Sequence, residues 1–125
     1  MTISLYVKPQ VYPNANSSPR IYVAIYLASH FFNPPVGNQQ PPQGSTPIAS
    51  GTSNNLNTIL QLTGLSESSN YWLLVQNPQG YTHWFYVDWT SGLTSGDPMI
   101  VGVPLIEGVF LKPTHGTWAT TAAEP

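Results

Sequence analysis

No window of this chain carries apolar residues at helical spacing for more than two turns, because its 13 prolines and 10 glycines fall every few residues. A proline inside a helix removes a hydrogen bond and collides with the preceding turn, so a helical fold is excluded. What recurs instead is period two. Ile3, Leu5 and Val7 alternate with Ser4, Tyr6 and Lys8 ahead of Pro9, the pattern of a strand with one buried face. Residues 20–29 are apolar on both faces, Ile21, Val23, Ile25 and Leu27 opposing Tyr22, Ala24, Tyr26 and Ala28, which marks a central strand covered on both sides. Leu56, Leu60 and Leu62 keep register within 56–63, and strand signals continue at 71–76 and 81–89. The apolar runs 99–103 and 105–111 are broken by Gly102, Pro104 and Gly108 and read as short edge or bulged strands. Seven or so short strands and no helix predict an all-β chain folded as a single antiparallel β-sandwich.

A chain of 125 residues fits one domain, 1–125, with enough length to bury about two thirds of its unfolded surface. Within it, residues 33–55 change to Pro, Gln, Gly, Ser, Asn and Thr, with the pairs Pro34-Pro35 and Pro41-Pro42. This segment reads as a long loop, or as an arm laid on a neighbouring subunit, its prolines leaving little entropy to lose on docking. Residues 114–125 read as a tail with Trp118 as its anchor.

The most specific local signal is Asn77-Pro78-Gln79-Gly80, which suits a three-residue hairpin with a bulge at Gly80. Counting back from it pairs Val75 with His83, Leu73 with Phe85 and Tyr71 with Val87 on one face. The other face then holds Trp72, Leu74, Gln76, Thr82, Trp84, Tyr86 and Asp88. If the first face lines the core, the second turns two tryptophans and a tyrosine outward, and large exposed apolar patches mark contact sites. The alternative is that the 33–55 loop or the terminal strands fold over this face within the monomer.

The run Gly64-Leu65-Ser66-Glu67-Ser68-Ser69-Asn70-Tyr71 resembles the loop before strand F of fibronectin type III domains, where a Gly-Leu pair precedes a tyrosine at the same interval. Leu73 and Val75 continue the likeness, and Asn77 and Gly80 fall where that family turns from strand F to strand G. The resemblance covers residues 64–89 and implies a fibronectin- or immunoglobulin-like sandwich in which the Tyr71 ring packs in the core and its hydroxyl caps backbone at the corner. All four tryptophans follow residue 70, where that family has one early in the chain, so a jelly roll is the alternative fold. In size and composition the chain is also similar to capsid cement and decoration proteins of tailed-phage virions.

Catalytic and cofactor chemistry find no support in the residues. Glu67, Asp88, Asp97, Glu107 and Glu124 are spread over separate turns and strands; Asp88 and Asp97, which flank one loop, are the only candidates for acid/base work, and they read rather as a solvated charge near Trp89 and a turn residue before Pro98. His30, His83 and His115 lack the short spacings that place two imidazoles on one metal, and there is no Cys, no nucleophile elbow and no phosphate-cradling glycine loop. Enzyme activity, cofactors and metals are therefore not expected. Lys8, Arg20 and Lys112 are the only lysines and arginines and the formal net charge is -2, which argues against nucleic acid and anionic membrane as partners. Residues 1–7 show no secretory leader, and no apolar run approaches the ~18 residues of a membrane helix.

Charged residues make up only 6% of the chain where about 25% is usual, while aromatics reach 12%. Such a surface adheres by apolar contact. The expectation is a structural virion protein, a capsid decoration or cement protein or another phage head or tail accessory, made in the host cytoplasm. It would bind a major capsid protein or other lattice protein and self-associate, a trimer by analogy. The contact residues expected are Trp72, Trp84, Tyr86 and Leu74 with Pro34, Pro35, Pro41 and Pro42 of the arm. The alternative is a carbohydrate-binding module or receptor-binding domain in which Trp72, Trp84 and Tyr86 stack on sugar rings while Asp88 and Gln76 bond hydroxyls.

Overall fold

The computed structural model describes residues 2–11, 20–30, 44–53, 58–78, 83–89, 101–102, 106–113 and 121–122. They form nine strands, β1 (Thr2–Val11), β2 (Ile21–Leu27), β3 (Ala49–Ser53), β4 (Leu60–Ser66), β5 (Tyr71–Gln76), β6 (His83–Asp88), β7 (Val101–Gly102), β8 (Ile106–Leu111) and β9 (Thr121–Ala122), with one 3-10 turn at Ala28–His30. Two antiparallel sheets result, one ordered β4-β1-β6-β7 and the other β3-β2-β5-β8-β9. We call them the first and second sheet.

The strand order is nested. β2 pairs with β3 and β1 with β4, one pair in each sheet; β6 pairs with β7 and β5 with β8 in the same manner. The two halves join through β1 with β6 and β2 with β5. The result is the expected all-β sandwich of two antiparallel sheets. The expected hairpin between 71–76 and 81–89 does not form, since β5 and β6 lie in opposite sheets. Leu73 pairs with Ile25 and Val109, and Phe85 pairs with Pro9.

Between the sheets lies the main core, built as period two requires. Leu5 and Val7, Ile21, Val23 and Ile25, Tyr71, Leu73 and Val75, and Phe85 and Val87 all point inward and are buried, joined by Leu111. β2 is covered on both faces as its sequence demands. β1 runs past Pro9, where the alternation was expected to stop. At that point its only described neighbour is β6, because the pairing with β4 ends at Val7 and Leu60, and a strand paired on one side has room for a residue without an N–H.

β4 solves a parity problem. Leu62 and Leu65 are both buried although three residues apart, which a regular strand cannot arrange. Thr63 and Gly64 bulge opposite Ser4, between the pairs Ile3 with Leu65 and Leu5 with Leu62, and Gly64 takes a φ of 81° that suits glycine. The chain then turns through Glu67 and Ser68, the Ser66 Oγ accepting from the Ser68 N–H at 3.2 Å. Tyr71 closes the corner: its ring is buried, its hydroxyl accepts from the Ser66 N–H at 2.7 Å and lies 3.3 Å from the Ser66 carbonyl, to which it donates.

Three further expectations change. Residues 49–53, assigned to the loop or arm, form β3 on the edge of the second sheet. β8 is not an edge: β9, within the expected tail, pairs with it through Val109 with Ala122 and Phe110 with Thr121. Gly108 does not mark a bulge either, for reasons that belong to the outer face of its sheet.

Candidate contact surfaces

The residues expected to form one outward aromatic face lie on opposite sides of the sandwich. On the second sheet, Trp72 and Leu74 are 0% and 2% exposed and form a separate apolar cluster with Ala24 and Tyr26, flanked by half-buried Tyr22 and Ile106. As contact residues, Trp72 and Leu74 are therefore corrected to a second core layer inside the chain. Register explains the packing. Ala24, Leu74 and Gly108 share one row across three strands, with Tyr26 and Trp72 paired in the row beside it. The Trp72 ring lies on the bare α-carbon of Gly108, so close that a Cβ there would run into Cζ2 and Cε2. Gly108 is thus a floor for an indole rather than a break in the strand. Burying such a ring is worth about 4 to 6 kcal/mol before ordering costs. Burial also raises the Tyr26 pKa above its ordinary 10.0, with the neighbouring Tyr22 hydroxyl adding to the effect.

On the first sheet the outer face is of another kind. Gln61, Tyr6 and Asp88 share one row over β4, β1 and β6, and Lys8 and Tyr86 share the next. Tyr6, Lys8 and Tyr86 are half-buried, Asp88 is buried, and Gln61 is exposed and donates from Nε2 to the Ser4 Oγ at 3.2 Å. Of the expected contact residues only Tyr86 is placed here. The Trp84 backbone pairs with Gln10 and Val101. Its side chain, with Pro34, Pro35, Pro41 and Pro42, lies outside the described residues.

A third surface was not anticipated. β3 ends the second sheet and β4 ends the first, and they meet along one side of the sandwich, where a Cβ at Gly51 would sit 3.4 Å from a Leu60 methyl. Among the described strands, β3 bonds only to β2 and β4 only to β1. The described residues contain two exposed large hydrophobics, Ile48 at 40% and Ile59 at 53%, and each immediately precedes one of these edge strands. The Ile48 N–H donates to the Ile25 carbonyl at 2.8 Å, so its backbone is held while its side chain faces water. The signal was present in sequence as single isoleucines set in polar surroundings, but nothing in 44–53 alternates strongly enough to announce a strand.

Among the described residues no three His, Cys, Asp or Glu side chains converge as a metal site. Trp89, at the end of β6, packs its ring against Tyr71 with centroids 6.4 Å apart. Comparison with protein families, with curated proteins and with solved structures finds no match.

Proposed function

We propose that this chain is a structural, non-catalytic component of a virion, a decoration or cement protein or a related head or tail accessory, made in the host cytoplasm and attached to a lattice of capsid or other virion protein. The observation that carries this reading is the β3–β4 side of the sandwich: strands with neither Lys nor Pro that end their sheets among the described strands, preceded by two exposed isoleucines, on a chain with eight charged side chains. Backbone hydrogen bonds and apolar contact hold without ionic help, which suits a permanent assembly insensitive to salt. A β-sandwich hosts many unrelated functions, so the fold by itself favours neither lattice nor sugar binding.

The test is co-sedimentation with particles assembled from the major capsid protein encoded beside this gene. Binding retained from about 0.1 M to about 1 M salt supports the reading, since screening over that range removes surface ionic contacts. Absence of binding at both refutes it.

A carbohydrate-binding role is the second reading, favoured by the outer face of the first sheet. There Tyr6 and Tyr86 offer rings, while Gln61 and Lys8 offer polar groups in adjoining rows. Retardation on an agarose or dextran column, abolished by Tyr86→Ala, would favour it over lattice binding.

A further inference from the structure

We infer that β3 is a docking strand for β3 of a second copy of this chain, the two pairing antiparallel across a twofold axis. The inference deepens the assembly reading above and rests on it. A terminal strand presents a row of backbone donors and acceptors, and proteins that stay monomeric blunt such edges with lysine, proline or a bulge. β4 carries the bulge at Thr63 and Gly64. Residues 49–53 of β3 contain none of these three devices, and among the described strands β3 bonds only to β2. Its register against β2 runs in step from Ile21 with Ser53 to Ile25 with Ala49, and its sequence, Ala49-Ser50-Gly51-Thr52-Ser53, has no charge and no proline.

The sequence of β3 also says which partner suits it. An axis through Gly51 sets Ser50 of one copy opposite Thr52 of the other and Ala49 opposite Ser53. Gly51 then meets its own copy on the axis. Ser50 and Thr52 are exposed, and a Ser–Thr pair across strands is a favourable hydrogen-bonding combination. On a twofold every residue meets a residue of the same short segment, so any charge in β3 would face or neighbour a like charge. None is present, which is what self-pairing requires. The exposed Ile48 then lies at both ends of the joined strands, adding apolar cover to the backbone bonds. Two five-stranded sheets become one continuous sheet of about ten strands, as edge-to-edge addition dictates.

Light scattering and sedimentation of the full chain test this. The expected result is a dimer whose dissociation constant is unchanged between about 0.1 M and about 1 M salt. Two variants probe the register, Ser50→Lys with Thr52→Lys, and Ser50→Glu with Thr52→Glu. Both positions are exposed, so circular dichroism should show each variant folded. Each alone should dissociate at least about tenfold more readily, and an equal mixture should restore a dimer, since position 50 of one copy faces position 52 of the other. A monomeric or trimeric parent chain, a lysine variant that dimerises like the parent, or a mixture that stays monomeric overturns the inference. A monomer that still sediments with capsid particles would overturn the strand pairing and leave the lattice reading standing. A dimer that ignores the particles would do the reverse.

Discussion

The two outer faces of this sandwich carry similar residue types and do opposite things. On the second sheet, Trp72, Tyr26 and Leu74 are buried, gathered over Ala24 and Gly108, and act as a second core. On the first, Tyr6 and Tyr86 are half-buried among Lys8, Gln61 and Ser4 and remain in touch with water. The difference lies in the neighbours rather than in the rings. Small residues on adjacent strands make a trough that an indole can fill, whereas polar neighbours of middling size keep a ring at the surface. An aromatic residue in a strand is therefore a contact candidate only after the residues beside it across the sheet are known.

Four measurements would break or sharpen this contrast. Trp72→Ala should lower unfolding free energy in urea by about 3 to 5 kcal/mol, the loss typical of a large buried aromatic. A loss under about 1 kcal/mol would show that the outer face of the second sheet is not a core. Gly108→Ala should cost about 1 to 3 kcal/mol through collision with the indole, and distinctly less in a Trp72→Leu background, the coupling read from a double-mutant cycle. Equal costs in both backgrounds would remove Gly108 as the floor of the site. A smaller effect is expected in alkali. Because the folded-state pKa of Tyr26 is raised, its contribution is full below the unfolded value near 10 and is lost as pH climbs through the folded value. Stability should thus decline above about pH 10, and less steeply in Tyr26→Phe. The smallest change is predicted for the first sheet, where Tyr86→Ala should shift stability by no more than about 1 kcal/mol; a cost matching that of Trp72→Ala would make the two faces equivalent.

What could be read from the sequence was the side each residue faces, and what could not was the strand beside it. Tyr71, Leu73, Val75, Phe85 and Val87 all point into the core as alternation predicted, but they meet across the sandwich and not across a hairpin. Period two is a local property of the backbone, while sheet neighbours are chosen by the whole chain. One counter-signal was legible: 71–76 is apolar on both faces, like 20–29, and such strands belong in the middle of a sheet with each face covered. The turn chemistry of 77–80 points the other way, toward a hairpin, and the burial demand of 71–76 prevails in the fold. β3 was invisible for the converse reason, since Ala49, Ser50, Gly51, Thr52 and Ser53 contain no large apolar residue, and the strand exists because β2 needs a neighbour. For the contact surface the outcome was similar. Tyr86 lies half-buried on an outer face, Trp72 and Leu74 are buried where exposure was expected, and Ile48 and Ile59 are exposed at strand ends that sequence did not reveal.

The placement of the first strand sets the order in which the protein can be made. β1 sits in the interior of its sheet, hydrogen-bonded to β4 on one side and to β6 on the other, so this strand must wait for Asp88 to be synthesised before its second partner exists. Non-local pairing of this kind slows folding and leaves apolar surface open in the interval. A nascent chain whose β1 lacks its β6 neighbour leaves the core around Leu5 and Val7 incomplete, and truncations ending before β6 should precipitate rather than yield a smaller stable sandwich.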